Sequence, residues 1–376
     1  MLPTIHGDDR IRGTGANVLE KVFPNGVDNS HDESSIMASP ATVCEGRCSL
    51  VIPAYNSAAF IGEAVNSALA DDTDGICEIL VVDDGSTDGT AEVIKRFGPH
   101  VRLVSKKHGG PGSARNVGVR EAKGEVVLFL DADDKILPGR MQSQIAYMLS
   151  RPDVVFSFGD SVYEHREDWN RHQEWELPRK DNVPFCEIPN PLDSLIAQGC
   201  YPCMSAAAVR RDAWLRVGGQ REDVRVLEDY DCWCKLAREG RVACSSMKFV
   251  WIRRGSRAHL MSSHHAYLDP PIVLKDVLER HEQHVSREAH EVGKQRFIRS
   301  AEMMLRYLWI EFGPVEVDDA CRRLRPALPD HIARKWAIWS RLPRWMPRVA
   351  RYFVRRASVA RSCQQGFGEI GERGNG

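Results

Sequence analysis

Two apolar runs in this chain end in clusters of carboxylates. One is Val81-Val82-Asp83-Asp84-Gly85-Ser86-Thr87-Asp88, and the other is Leu128-Phe129-Leu130-Asp131-Ala132-Asp133-Asp134. Asp is a poor strand residue, and clustered carboxylates repel one another unless a cation sits among them. A hard divalent ion such as Mg²⁺ or Mn²⁺ suits such a cluster, because it takes one or two carboxylates and completes its shell with substrate phosphate oxygens. The i,i+2 spacing of Asp131 and Asp133 lets both reach one ion from a single tight turn. An Asx turn or a helix cap would account for one such pair alone. Two acidic strand ends in one sheet favour a metal–diphosphate site over that plainer use.

Between the two acidic ends lies His108-Gly109-Gly110-Pro111-Gly112-Ser113-Ala114-Arg115-Asn116-Val117-Gly118. Its glycines permit close backbone approach to a ligand, and Arg115 supplies a forked cation for phosphate or carboxylate. This is not the dinucleotide fingerprint, because Arg115 stands where the third glycine would be and the loop follows the third strand rather than the first.

The elements that position these residues follow from the pattern. Strand-like runs at 48–53, 78–83, 101–105, 125–130 and 153–158 alternate with helical patterns near 57–70, 88–97, 112–122 and 138–149. Such alternation implies right-handed βαβ units and an α/β fold with a mostly parallel sheet. Active sites of such sheets lie beyond the carboxyl ends of the strands, where the acids are. Residues 161–190 read as an insertion or long loop. Helices near 191–198, 211–217 and 229–239 follow, with a strand near 203–209 and a further apolar run at 247–252. Beyond 270 the pattern is helical.

A chain of 376 residues holds one large domain plus an appendage, or two ordinary domains. Residues 1–47 are polar and without periodicity and read as a tail. They contain no long apolar run, so no secretory signal is expected, and no stretch of the chain has the ~18 uninterrupted apolar residues of a spanning helix. The odd count of 11 cysteines, irregularly spaced, points to free thiols in a reducing, cytoplasmic compartment. Cys200-x-x-Cys203 and Cys232-x-Cys234 read as buried thiols in preference to a zinc site, since i,i+2 residues do not share a helix face.

Four ordered segments carry a family resemblance: Cys48–Asn56, Val81–Thr90, Gly112–Gly118 with Ala122-x-Gly124, and Leu130–Asp134. In order and spacing they resemble family 2 glycosyltransferases over about residues 48–255. The resemblance implies a GT-A fold, Rossmann-like with a mixed, mostly parallel sheet, and a nucleotide-diphospho-sugar donor. It implies that Pro53, Tyr55 and Asp83 or Asp84 line the nucleoside pocket, and that Asp131 and Asp133 are the metal-binding Asp-x-Asp, with Asp133 the direct ligand. The expected division is a tail at 1–47, a catalytic domain at 48–270 and a helical, basic region at 271–376.

A transferase of this kind needs a base for the acceptor hydroxyl of a saccharide or lipid-linked acceptor. Acids open the helix in Val226-Leu227-Glu228-Asp229-Tyr230-Asp231, which the helix dipole alone would favour. The match to the family's Glu-Asp motif gives Asp229 the base role, with Glu228 as the alternative or an acceptor-orienting partner. Metal and base on opposite sides imply single displacement with inversion. His259, His264 and His265 are either solvated or a third metal ligand or lid, with the solvated reading the commoner use of such a cluster.

From Arg334 to Arg361 the chain carries basic residues and no acid. On a helical wheel Arg341, Arg344, Arg348, Arg351 and Arg355 oppose Leu342, Trp345, Met346, Val349, Tyr352 and Phe353. This is either a peripheral membrane-surface helix or a helix docked on the catalytic domain. No nucleic-acid recognition motif accompanies it. Two rival readings remain: a sugar-nucleotide nucleotidyltransferase, which lacks its Gly-rich loop after the first strand, and a non-catalytic nucleotide-sugar-binding or scaffolding relative.

Overall fold

The computed structural model describes residues 48–72, 77–164, 177–178, 184–253, 264–341 and 346. The expected tail, most of the 161–190 insertion, His259 and nearly all of the basic segment after Arg341 lie outside the described residues.

The strands are β1 (Cys48–Ala54), β2 (Cys77–Asp83), β3 (Val101–Ser105), β4 (Val126–Phe129), β5 (Lys135–Ile136), β6 (Val154–Tyr163), β7 (Cys186–Glu187), β8 (Ala207–Arg210) and β9 (Arg241–Ile252). They form one sheet in the order β3-β2-β1-β4-β8-β6-β9-β5, with β7 added on β9. The first four are parallel. β8 then runs antiparallel between β4 and β6, and β6 pairs in parallel with β9. The order reverses at β1, between β2 and β4, which opens a crevice at the carboxyl ends of those strands.

Both faces of the parallel half are covered, so its strands are apolar throughout: Leu50, Val51, Ile52, Val81, Val127, Leu128 and Phe129 are all fully buried. Helix α1 (Ile61–Asp71) buries Ile61, Ala64, Val65 and Ala68, the i, i+3, i+4, i+7 stripe of a helix on a sheet. The other helices of this half are α2 (Thr90–Lys95), α3 (Pro111–Glu121) and α4 (Arg140–Ser150). Proline opens α3 where no backbone N–H is needed. Gly118 of α3 lies so close to β1 that a Cβ there would sit 2.3 Å from Val51 Cγ1. That close approach sets the helix, and Arg115 on it, hard against the sheet.

Helices α5 (Pro191–Gln198), α6 (Arg211–Arg216) and α7 (Glu228–Leu236) lie among the later strands. The helical region comprises α8 (His265–His281), α9 (Arg287–Glu311), α10 (Pro314–Leu324) and α11 (Asp330–Trp339). One apolar cluster runs from Val51 and Phe129 through Trp233 to Phe297, Leu305 and Trp336, so these helices share the core beneath the sheet. Arg296 of α9 donates to Ile196 O at 2.9 Å, tying α9 to the end of α5. The start of the basic C-terminal stretch is docked: Trp336 is buried, Trp339 packs on Trp309 at 4.9 Å, and Lys335 pairs with Glu302 at 2.7 Å. No described helix is long and apolar enough to cross a membrane.

Candidate active site

The turn after β4 holds the acid cluster. Asp131 and Asp133 are half-buried, while Asp134 is buried. Asp134 N–H donates to Asp131 O at 3.1 Å, closing the turn. Ser205, just ahead of β8, donates its hydroxyl to Asp134 Oδ2 at 2.6 Å and accepts Asp131 N–H at 3.0 Å. From the end of β9, Arg253 N–H donates to Asp134 Oδ1 at 3.2 Å and Arg253 Nε to Asp133 O at 3.3 Å. Burial, and then the charges of Asp131 and Asp133, push the Asp134 carboxyl well above the usual carboxylate range.

The described residues contain no group of three or more His, Cys, Asp or Glu able to hold a metal by themselves. Two partly open carboxylates on one turn, with only oxygen ligands to offer, suit Mg²⁺ or Mn²⁺ sharing its shell with a diphosphate. His264 and His265 start α8, and His265 Nδ1 lies 3.3 Å from Asp269 Oδ1. That carboxylate also accepts the N–H groups of Arg225 and Val226, at 2.6 and 3.0 Å, through Oδ2. His265 therefore takes part in anchoring the loop before α7.

At the end of β2 the two acids have different surroundings. Asp83 Oδ1 accepts Ser86 N–H at 3.0 Å. Asp84 is wrapped by the glycine-rich loop: it accepts Gly109 N–H at 2.9 Å and Gly110 N–H at 2.7 Å, and pairs with Lys106 at 2.5 Å and His108 at 3.0 Å. Its carboxylate organises the loop, and the loop N–H groups that could have cradled a phosphate go to Asp84. Pro53 is half-buried on β1. Tyr55 is 47% exposed, with its ring 4.2 Å from that of His108, an open aromatic face beside the crevice.

Arg115 joins the two acidic centres. Nη2 donates to Asp131 Oδ1 at 2.7 Å, and Nη1 donates to Glu228 Oε1 at 3.0 Å and Gln220 Oε1 at 3.3 Å. Its fork therefore faces carboxylates. The Gly-rich loop makes room for this in a way the sequence did not disclose: a Cβ on Gly112 would lie 2.7 Å from Arg221 O and 3.3 Å from Glu228 Cγ. The close approach those glycines permit is of chain to chain.

Leu227, in the left-handed region with φ 62°, turns the chain into α7 so that Glu228 and Asp229 begin the helix. Glu228 is buried, and Asp229 is half-buried. Burial, then the neighbouring Asp229 charge, pushes the Glu228 carboxyl up to about 7, against a smaller lowering by Arg115. Burial also raises Asp229, against the opposing influence of Arg115 and a hydrogen bond from the Cys200 thiol. A carboxylate moved towards neutrality in this way is suited to accept a proton.

Residues 49–213 match the model of glycosyl transferase family 2. This region belongs to that family. An uncharacterized glycosyltransferase of Rickettsia conorii is 32% identical over 206 residues, covering 53% of this chain and 32% of the relative. One from Nostoc is 32% identical over 179 residues, covering 46% and 53%. The chain thus spans between about a third and about half of the length of these curated relatives.

Among solved structures, S. aureus TarS 1–349 in complex with UDP-GlcNAc superposes with a TM-score of 0.57 at 19% identity, over 76% of this chain and 82% of that one. The mannosyltransferase PcManGT of Pyrobaculum calidifontis, in complex with GDP-Man and Mn²⁺, gives 0.51 at 17%, over 88% and 90%. Both share the GT-A fold with the family 2 region, whose mixed sheet and flanking helices agree with the sequence-based expectation.

Four residues at this site have neighbours that the sequence did not disclose. Ser205 and Arg253 hold the Asp131–Asp134 turn, Gln220 braces Arg115, and Cys200 faces Asp229. Ser205 lies in the 203–209 run that the sequence marked only as a strand. Nothing in the type or spacing of Ser205, Gln220 or Arg253 distinguishes it from an ordinary loop residue, and Cys200 stood out only as half of a Cys-x-x-Cys pair.

Proposed function

We propose that the protein is an inverting, metal-dependent glycosyltransferase that moves a sugar from a nucleotide-diphospho-sugar to an acceptor hydroxyl in glycoconjugate or polysaccharide synthesis. The observation that carries this reading is the shared guanidinium of Arg115. It links Asp131, at the end of β4, to Glu228, at the start of α7, so the strand-end acids and the helix-start acids form one site. The donor's nucleoside would lie against Pro53, Tyr55 and Asp83. Its diphosphate would lie over the 131–134 turn, where Asp131 and Asp133 would hold Mg²⁺ or Mn²⁺. That ion supplies charge neutralisation for the leaving diphosphate.

The chain's own groups do the rest. Asp229 accepts the proton of the acceptor hydroxyl as that oxygen bonds to the anomeric carbon, and the bond from that carbon to the diphosphate oxygen breaks. Inversion follows from attack on the face opposite the leaving group. Glu228, buried and bonded to Arg115, orients that arginine and leaves the more open Asp229 as the base. The acceptor is a saccharide or a lipid-linked saccharide. The basic segment beyond Arg341 would bring the site to an anionic membrane surface carrying the latter.

The test is release of nucleoside diphosphate from a panel of nucleotide-sugars with Mg²⁺ or Mn²⁺. Asp133→Ala should abolish metal-dependent release with the fold intact by circular dichroism. Full release in that variant, or in excess chelator, would remove the metal from the mechanism.

A further inference from the structure

The 131–134 turn is held from two other parts of the chain. Ser205 lies in the single 3₁₀ turn at Met204–Ala206 that leads into β8, and β8 lies beside β4 with Leu128 opposite Ala208. That pairing places the Ser205 hydroxyl under the end of β4. A hydroxyl has one proton to give and lone pairs to accept with. Here the proton goes to Asp134 Oδ2 at 2.6 Å, and a lone pair takes Asp131 N–H at 3.0 Å. The other oxygen of Asp134 takes Arg253 N–H from the end of β9, and the Arg253 side chain reaches back to Asp133 O. Ser205 is 1% exposed and Asp134 5%, so water cannot replace either partner without rearrangement.

We infer that Ser205 is a positioning residue for the metal: through Asp134 it fixes the backbone of the turn that presents Asp131 and Asp133 to one ion. This rests on the metal reading given above. Two flexible carboxylates bind a small hard cation poorly unless their backbone is held, because Mg²⁺ and Mn²⁺ demand near-octahedral geometry. Loss of an outer partner of this kind typically costs about 10–100-fold in metal affinity.

The sheet contains a matched control. Ser49, at the opposite end of β1, also accepts one backbone N–H, from Gly124 at 3.0 Å, and donates to one carboxylate, Glu78, at 2.8 Å. Like Ser205 it is buried. Ser49→Ala and Ser205→Ala therefore remove the same kinds of bond, one far from the acid turn and one beneath it.

The experiment is titration of Mn²⁺ by electron paramagnetic resonance, with the full chain alone and with UDP or GDP present. Thermal unfolding of each variant is measured in parallel. Ser205→Ala should weaken Mn²⁺ binding about 10-fold or more, and Ser49→Ala should leave it within about 2-fold, at a similar cost in stability. Should Ser205→Ala fail to fold, Ser205→Cys keeps the size with a weak donor and acceptor, and its binding should fall in the same direction. Equal Mn²⁺ affinity in the Ser205 and Ser49 variants would overturn the positioning role. Asp133→Ala separates the two ideas. If it binds Mn²⁺ as the wild type does, the metal site itself is misassigned. If it loses Mn²⁺ while Ser205→Ala keeps it, only the role of Ser205 fails.

Discussion

Replacing Arg115 by Met tests the arrangement where it is most exposed to refutation. Methionine keeps an unbranched apolar stem and removes every donor. In the wild type the fork is 6% exposed and bonded to Asp131 at 2.7 Å and Glu228 at 3.0 Å. Asp131 is 36% exposed on its side chain and can turn to water when the fork is gone. Glu228 is buried, so its cheapest response is to take up a proton.

Even with Arg115 present, its carboxyl is raised from an ordinary 4.5 to about 7 by burial and Asp229. A rise of that size corresponds to about 3 kcal/mol of folding free energy. The sign follows from proton binding. A raised carboxyl contributes stability that is fully present below about pH 4.5 and lost as pH climbs through about 7. Without the arginine the carboxyl rises further, and the loss continues to higher pH. An unpaired buried charge would cost about 3–5 kcal/mol, but protonation of Glu228 caps the added loss at about 1.4 kcal/mol for each pH unit above about 7. Near pH 5, where Glu228 is already neutral, the cost is that of a lost hydrogen bond, about 1 kcal/mol.

Urea unfolding of wild type and Arg115→Met at about pH 5 and about pH 8 measures both gaps. The gap should widen from about 1 to about 2 kcal/mol, and the acidic limb of kcat/KM should move up by about one pH unit. A gap that is constant or narrows with pH, with the limb unmoved, would show that Arg115 does not compensate these acids.

Two further outcomes are expected. Asp229→Asn should lower turnover about 10²–10⁴-fold with donor affinity nearly unchanged, by single-turnover kinetics and calorimetry; equal loss in both would instead give Asp229 a binding role. The full chain should sediment with anionic vesicles at low salt and be released as salt rises, since exposed charges are screened over ~10 Å at 0.1 M ionic strength. Binding that survives deletion of the residues beyond Arg341 would show that this segment is not the attachment point.

The parallel half of the sheet was legible because strands covered on both faces must be apolar along their whole length. Leu50-Val51-Ile52 and Val126-Val127-Leu128-Phe129 admit little else. The direction of β8 was not legible, because an apolar run carries no sign of which neighbour it will join. The first half of β9, Arg241-Val242-Ala243-Cys244-Ser245-Ser246, was missed because small residues bury as well as large ones but leave no apolar signal. β5 and β7 have two residues each, too few for any period.

The acids at 131 and 133 could be found from type and placement, since clustered carboxylates are costly and seldom accidental, whereas 228 and 229 were singled out by the family resemblance. The partners that make them tolerable could not. Arg115 read equally as a fork for phosphate or for carboxylate, and the glycines beside it read as room for a ligand. Those glycines instead let α3 press against β1 and α7, which brings one guanidinium within 3.0 Å of acids from two distant elements. Without that cation Glu228 would protonate more readily, and the Asp131 side of the site would lose its neutralising partner. The same physics explains why the loop is glycine-rich. A side chain at Gly112 would push back Glu228 and the Arg221 carbonyl, and the short pairing that holds the two acidic centres in one site would be lost.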